Sequence, residues 1–147
     1  MPELLPLGPG EQAGGCQCGG IRFAAPNKPL ALYACHCTEC RKQSSAAFGI
    51  SFTITRDALR LLQGVPAYWS RRTASGHSLE CAFCPTCGSR VWHQSSGHPA
   101  TLNIKGGSLD TALDMSDAVH IWTASKLPGV CIPPGARSFP GEPDREH

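Results

Sequence analysis

The cysteines of this chain are gathered into three short clusters, which constrain its fold more than any other feature. Seven of the nine cysteines in the 147 residues belong to them. The first cluster is Cys16-Gln17-Cys18, the second runs from Cys35 to Cys40 as C-x-C-x2-C, and the third is Cys84-Pro85-Thr86-Cys87. Thiols at such short spacing are typical of metal ligands in a reducing compartment. The sequence therefore predicts metal binding, with disulfide bonds as the alternative.

Composition and charge exclude several classes of protein. Hydrophobic residues make up 41% of the chain and charged residues 16%, which is typical of a globular domain. The net charge is +2 without a long basic run, which argues against nucleic acid as a partner. The sequence has no run of about 18 apolar residues that would predict a membrane span. Residues 1–9 do not resemble a secretory signal. We expect a cytoplasmic protein, and the oligomeric state stays open.

Short alternating segments separated by glycine and proline predict an all-β domain. The domain is expected to span residues 14–135, between a flexible leader at 1–13 and an irregular tail at 136–147. Residues 38–47 favour a helical turn, whereas residues 57–64 fit either a short helix or a strand. The predicted strands are 21–24, 30–34, 48–54, 67–71, 78–83, 90–94, 100–105 and 119–123.

Two of the clusters combine into one site with four thiolates. Cys16 and Cys18 are expected on an extended segment, where alternate side chains point the same way. Cys84 and Cys87, followed by Gly88, form a knuckle that aims two sulfurs at one point. Zinc binds four such ligands in a tetrahedron and then has no position left for a substrate. These four cysteines therefore predict a closed, structural zinc site.

The central cluster supplies three thiolates, from Cys35, Cys37 and Cys40, to a second zinc ion. Three protein ligands and one open position are the pattern of a catalytic zinc. A thiol that binds zinc is deprotonated at neutral pH, so the site suits chemistry on a small thiol or thiol adduct. Arg41 and Lys42 are available to offset negative charge or to receive a substrate carboxylate.

Other polar and aromatic residues receive mainly structural interpretations. His36 is an alternative fourth ligand, although its place between two ligands directs it to the opposite face. Glu39 is a candidate general acid or base, but a solvated carboxylate is the simpler interpretation. Cys81 and Cys131 lie outside the ligand pattern. Packing or surface roles are expected for the remaining histidines and tryptophans, His93, His98, His120, Trp69, Trp92 and Trp122.

Three motifs occur in a specific order, Gly15-Cys16-x-Cys18-Gly19, Cys35-His36-Cys37-x2-Cys40-Arg41-Lys42 and Phe83-Cys84-x2-Cys87-Gly88. In this order and spacing they resemble the glutathione-dependent formaldehyde-activating enzyme family, whose domain is shared with centromere protein V. The resemblance covers roughly residues 12–135, and residues 120–128 are similar to the C-terminal end of the family domain. Two positions depart from the family pattern. Residues 43–46 lack a glycine that is common there, and Gly129 stands where many members have tryptophan.

This resemblance implies a β-tent fold, in which small antiparallel sheets meet around zinc. It implies a structural zinc at Cys16, Cys18, Cys84 and Cys87, and a catalytic zinc at Cys35, Cys37 and Cys40. The implied activity is a carbon–sulfur lyase reaction run in reverse, which joins formaldehyde and glutathione to S-hydroxymethylglutathione. The expected function is a zinc-dependent enzyme acting on glutathione or a related thiol adduct. The alternatives are a non-catalytic, zinc-stabilised binding module and a redox sensor that uses Cys35–Cys40.

Overall fold

The computed structural model describes residues 6–143, which form two β-sheets, one short α-helix and three 3-10 helices. The strands are β1 Glu11–Gly15, β2 Arg22–Pro26, β3 Ala31–Cys35, β4 Gly49–Thr55, β5 Arg60–Gln63, β6 Ala67–Arg72, β7 Ser78–Phe83, β8 Arg90–Ser95, β9 Thr101–Lys105 and β10 Val119–Ile121. The α-helix, α1, is Thr38–Ser44, and the 3-10 helices are Arg56–Ala58, Gly106–Ser108 and Thr123–Ser125.

The strands are divided between a small and a large sheet. The small sheet has three strands in the order β1-β2-β5, and the large one has seven in the order β10-β3-β4-β9-β8-β7-β6. Neighbouring strands are antiparallel, except that β10 runs parallel to β3. The all-β prediction is confirmed, and residues 60–63, which fitted either a helix or a strand, form β5 on the edge of the small sheet.

The core lies where the apolar faces of the two sheets pack together. Phe23 of β2 is fully buried, and its ring meets Trp92 of β8 edge to face with the centroids 5.9 Å apart. Phe52, Ile54 and Ile104 join them from β4 and β9. Burial of one such side chain contributes roughly 1.5–3 kcal/mol to stability. The apolar face of the large sheet is therefore used for the core, and its other face is left to polar residues.

The polar face of the large sheet leads from the central cysteines to the middle of the sheet. Residues directly opposite one another in an antiparallel pair share a face, as do alternate residues along a strand. By this register the face carries, in strand order, Cys35, Gly49, Ser51, Lys105, Asn103, His93 and Cys81. This row connects a cluster of sulfurs to a lysine and a histidine that are distant from it in sequence.

Residues 1–5 and 144–147 lie outside the described part of the chain, so the predicted leader and tail are only partly described. β1 begins at Glu11, inside the predicted leader. Within the predicted tail, the amide of Phe139 donates to the carbonyl of His120 at 2.9 Å. The domain limits at 14 and 135 and the cytoplasmic location stay predictions. None of the helices within residues 6–143 has the length and apolar character needed to cross a membrane.

Candidate metal centres

Four cysteine sulfurs from two distant turns meet beside the small sheet. The Sγ atoms of Cys16, Cys18, Cys84 and Cys87 all lie within 4.8 Å of one another. The Sγ of Cys18 is 3.6 Å from that of Cys16 and 3.7 Å from that of Cys84. With zinc–sulfur bonds of about 2.3 Å, a tetrahedral site places its sulfurs about 3.8 Å apart. This four-sulfur cluster therefore fits a zinc ion with little rearrangement.

Two tight turns of equal length present these sulfurs. The amide of Cys16 donates to the carbonyl of Ile21 at 3.1 Å, and the amide of Cys84 donates to the carbonyl of Ser89 at 2.9 Å. Each bond closes a loop that holds two of the cysteines. The prediction of an extended segment from Cys16 to Cys18 is wrong, because β1 ends just before it and the chain turns back at once into β2.

Hydrogen-bond donors surround the four-sulfur cluster and favour thiolates there. The amide of Ile21 donates to the Sγ of Cys16 at 3.2 Å. The hydroxyl of Ser89 lies 3.2 Å from the Sγ of Cys87 and, as a donor to it, lowers the pKa of this thiol to about 5. Donors of this kind stabilise a thiolate. The amide of Gly20 likewise lowers the pKa of Cys18, but contacts of Cys18 with the other three sulfurs outweigh this donor and raise its pKa to about 11.

The second cluster lies where β3 ends and α1 begins. Cys35 is the last residue of β3, Cys37 is the N-cap of α1, and Cys40 lies in the first turn of this helix. Their sulfurs lie within 4.8 Å of one another, and within residues 6–143 no other Cys, His, Asp or Glu completes the group. The amide of Cys40 donates to the Sγ of Cys37 at 3.3 Å. Three sulfurs leave one position of a tetrahedral zinc for another molecule.

The three thiols of the second cluster hold their protons unequally. Hydrogen bonds from the side chains of Cys35 and Cys40 hold the pKa of Cys37 far below its usual range. The same hydrogen bond to Cys37, together with that to Cys40 and with burial, raises the pKa of Cys35. Cys35 is buried, whereas Cys37 and Cys40 are half-buried. The cluster therefore offers one thiolate, at Cys37, and two thiols that zinc would deprotonate on binding.

His36 points away from the sulfurs on either side of it, as alternation along the chain predicts. Its ring is fully buried, its Nε2 lies 2.9 Å from the Nδ1 of His120, and it packs against Phe48 with the ring centroids 5.1 Å apart. Burial lowers the pKa of both histidines. His36 and His120 therefore form a neutral pair on the far side of the strand, outside the metal cluster.

Lys105 and His93 lie near the second cluster and were not singled out from the sequence as functional residues. The Nζ of Lys105 is 2.6 Å from the Nδ1 of His93. Burial, and then the charge of Lys105, hold the pKa of His93 well below its usual range. Burial lowers the pKa of Lys105 to about 8, and the neighbouring Cys40 acts in the opposite direction. At neutral pH a lysine cation therefore donates to a neutral imidazole.

A cavity of about 810 Å³ extends from the four-sulfur cluster to the C-terminal end of α1. Its wall includes three cationic side chains, Arg22, Arg90 and Lys105, and one carboxylate, Asp110, which pairs with Arg22. Gln43 also lines it, and both polar atoms of its amide are buried without a partner among the described residues. The sulfurs of the second cluster do not line this cavity, but α1 and Lys105 are adjacent both to the cavity and to the second cluster. The cavity suits an anionic molecule that offers hydrogen-bonding groups.

Other predicted residues lie around α1. Arg41 and Lys42 line a second, smaller cavity of about 280 Å³, and Ser45 borders both cavities. Glu39 is a surface carboxylate that pairs with Arg71 of β6 at 3.6 Å. This ion pair links α1 to the polar face of the large sheet. Arg41 and Lys42 do not line the larger cavity.

The remaining candidates lie outside both clusters. Cys81 is buried in β7, whereas Cys131 is exposed. Trp69 is half exposed, and the guanidinium of Arg90 lies over its ring, 5.3 Å from the centroid. Trp122 donates through Nε1 to Glu142 at 2.8 Å. Trp69 and Trp122 thus contact other side chains of the protein, and the structural roles of all four residues stay predictions.

Comparisons with known proteins agree with this geometry. A crystal structure of a Rhodobacter sphaeroides protein matches with a TM-score of 0.59 and 22% sequence identity, covering 74% of this chain and 98% of that chain. At this identity the match shows a shared fold. The family model described as glutathione-dependent formaldehyde-activating enzyme matches residues 11–125. Because this match spans most of the chain and contains all seven clustered cysteines, the protein belongs to the glutathione-dependent formaldehyde-activating enzyme family.

Proposed function

We propose that this protein is a zinc-dependent enzyme of the carbon–sulfur lyase type that acts on glutathione or a related thiol adduct. The observation that carries this function is the second cluster, with three sulfurs and no fourth ligand among the described residues. When bound there, zinc supplies a Lewis acid that stabilises a thiol as its thiolate. The four-sulfur cluster is complete without a substrate and takes the structural role. Membership of the family supports the same function.

The larger cavity provides the binding site for the rest of the thiol substrate. Its volume of about 810 Å³ lies within the range of small-molecule sites. Glutathione carries two carboxylates, and Arg90 and Lys105 are cations in the wall that are free of carboxylate partners among residues 6–143. Arg22 is engaged by Asp110. We assign Arg90 to a substrate carboxylate, since charged hydrogen bonds of this kind are the strong ones.

The proposed reaction joins a thiol sulfur to the carbon of formaldehyde. The C–S bond forms as the C=O double bond becomes single, and the thiol proton moves to the oxygen to give a hydroxymethyl group. In reverse the C–S bond breaks and the proton returns to sulfur, so the reaction needs no oxidant or reductant. The unpartnered amide of Gln43 is the group we assign to the aldehyde oxygen. The protein contributes chiefly by holding the two reactants within reach of each other.

Exchange NMR on an equilibrium mixture of formaldehyde, glutathione and their adduct tests this function. Zinc-loaded protein should raise the exchange rate above that of buffer, and Cys37→Ser should return it to the buffer rate. Cys131→Ser is the matched control, since Cys131 is exposed and outside both clusters; its rate should equal that of the wild type. Equal rates for the wild type and Cys37→Ser would remove the catalytic role.

A non-catalytic binding module is the second candidate, and one observation favours it. Leu61, Val65, Tyr68 and Trp69 are large apolar residues that are 44%, 80%, 51% and 50% exposed. They lie close together in sequence around β5 and β6, and exposed apolar residues of this kind can mark a protein interface. If the second cluster loaded with Co²⁺ gave no spectral response to glutathione, this function would replace the enzymatic one.

A further inference from the structure

We propose that Lys105, held by His93, is the counter-ion of the second cluster and makes this site prefer an anionic thiolate to a neutral molecule as its fourth ligand. Neither the cysteine spacing nor the family match assigns a role to these two residues. The role depends on the metal site proposed above but not on the lyase reaction.

The second cluster needs a counter-ion because of its own charge. Three thiolates around one divalent cation carry one net negative charge, and a fourth thiolate makes it two. Cys35 is only 6% exposed, so part of this charge is withdrawn from water. Charge in such a place is costly unless an opposite charge faces it. A cation beside the cluster would therefore favour metal binding and, still more, the addition of an anionic ligand.

Lys105 meets the requirements for this cation. It lies on the polar face of the large sheet, opposite Ser51, and this face continues through Gly49 to Cys35. Gly49 lies against the cluster, since a Cβ at this position would be 3.2 Å from the Cβ of Cys40. Burial has the larger effect on the pKa of Lys105 and lowers it, whereas Cys40 and Cys35 act to raise it. Within residues 6–143 no Asp or Glu lies within ion-pair distance of it. The second cluster is therefore the anionic partner that we assign to this partly buried ammonium.

His93 holds the ammonium without cancelling its charge. The short contact between Lys105 Nζ and His93 Nδ1, at 2.6 Å, fixes the end of a side chain that otherwise rotates freely. The imidazole is neutral and its Nδ1 accepts the hydrogen bond from Lys105, so its single ring hydrogen is on Nε2. A carboxylate in this place would neutralise Lys105 and remove its effect on the sulfurs. His93 is itself fixed in the sheet between Cys81 and Asn103. It is thus a positioning residue for Lys105.

Cobalt binding tests this role without an activity assay. The four-sulfur cluster is first filled with Zn²⁺, and Co²⁺ is then titrated into the second cluster against a competing chelator and followed by sulfur-to-metal charge-transfer absorption. We expect Lys105→Met to weaken Co²⁺ at the second cluster by roughly 10–100-fold, the range for groups that support metal ligands. Lys105→Arg, which keeps the charge, should restore most of the affinity. Lys28→Met removes the same charge from an exposed loop and should change little.

The choice of ligand provides the second readout. 2-Mercaptoethanol, a thiol without a carboxylate, and imidazole are each titrated into the cobalt-loaded proteins, the first as an anionic thiolate and the second as a neutral ligand. Lys105→Met should weaken thiolate binding at least about tenfold more than imidazole binding. Equal weakening of both ligands, or effects no larger than those of Lys28→Met, would overturn the counter-ion role.

Two controls distinguish a folding defect from loss of the counter-ion. They are the zinc content of the four-sulfur cluster and a pair of variants at His93. If Lys105→Met loses Zn²⁺ at the four-sulfur cluster as well, the comparison moves to His93→Asn and His93→Leu, both of which keep Lys105. Asparagine places an acceptor near the position of Nδ1 and should keep the preference for thiolate, which leucine should reduce. If the two variants do not differ in this preference, the role of His93 in holding Lys105 is refuted.

Discussion

Ser45 shows how one residue terminates the helix that carries the second cluster. It adopts a left-handed conformation with φ of 51°, and its amide donates to the carbonyls of Arg41 and Lys42. This conformation costs most residues other than glycine about 1–2 kcal/mol. Replacing serine with glycine would remove this strain. Part of the gain would be lost, because glycine loses more backbone entropy on folding than serine does. We therefore expect Ser45→Gly to raise the free energy of unfolding by roughly 0.5–1 kcal/mol, measured by urea denaturation of the zinc-loaded protein.

Ser44 provides the matched control for this substitution. It lies inside α1, where its hydroxyl donates to the carbonyl of Cys40 at 2.7 Å. Glycine within a helix is unfavourable, so Ser44→Gly should lower stability by about 0.5–1 kcal/mol. Opposite signs for the two neighbouring substitutions would show that the conformation of Ser45 is the cause. A loss of stability in Ser45→Gly would mean that the serine side chain makes a contact worth more than the strain.

At the level of single residues, the sequence revealed the sulfurs and missed the groups around them. The clusters could be recognised because cysteine ligands are close in sequence, as Cys35 and Cys37 are. Lys105 and His93 are brought to the second cluster only by the register of four strands, which a single sequence does not specify. Gln43 was noted only as a departure from the family pattern, and its buried amide became visible only in the structure.

Among the elements, the end of β5 determines the shape of the first cysteine turn. Gly64 follows β5 with φ of +84°, and a Cβ at this position would clash with the backbone carbonyl oxygen of Gly20. Gln63 also donates through its side chain to the carbonyl of Gly19 at 3.1 Å. We expect Gly64→Ala to lower the free energy of unfolding by roughly 2–4 kcal/mol. Because the clash displaces the turn that holds Cys18, the zinc content of the four-sulfur cluster should fall with it, as measured by metal analysis after dialysis.

Gly76 is the control that distinguishes the steric clash at Gly64 from the cost of a positive φ. Its φ of +86° is nearly the same, but a Cβ there would have nothing within 4 Å. Gly76→Ala should therefore lose only the cost of the backbone conformation, about 1 kcal/mol, and should keep its zinc. If the two variants lost the same stability, close packing of Gly64 against the cysteine turn would not be the cause.

The strands were the most predictable elements and the turns the least. Alternation located the strand that became β7 at both of its ends, because alternating polar and apolar residues are typical of a strand. Residues 57–64 were ambiguous since two leucines in succession, Leu61 and Leu62, fit either period. The turn at Cys16 was interpreted as extended because the same spacing of two thiols occurs in a strand and in a tight loop. The bond from the amide of Cys16 to the carbonyl of Ile21, and that from the amide of Gly19 to the carbonyl of Cys16, distinguish them.

In the whole molecule, a metal at the four-sulfur cluster would cross-link distant parts of the chain, whereas a metal at the second cluster would bind a local segment. Cys18 and Cys84, whose sulfurs nearly touch, are 66 residues apart in sequence. A metal that closes such a long loop removes much of the freedom of the unfolded chain. Cys35, Cys37 and Cys40 lie within six residues and would constrain the unfolded chain far less. The two metals should therefore differ greatly in their effect on folding.

Cysteine-to-serine substitutions test this difference through thermal unfolding of the zinc-loaded protein, followed by circular dichroism. Cys18 is exposed, so Cys18→Ser removes a ligand with little loss of packing. We expect it to lower the unfolding midpoint by roughly 10 °C or more, since losing the cross-link costs several kcal/mol. Cys37→Ser should lower the midpoint by less than about 3 °C, and Cys131→Ser, outside both clusters, should leave it unchanged. A similar fall for Cys37→Ser and Cys18→Ser would contradict this difference. Losing a purely local site should destabilise the protein less than losing a cross-link between the two sheets.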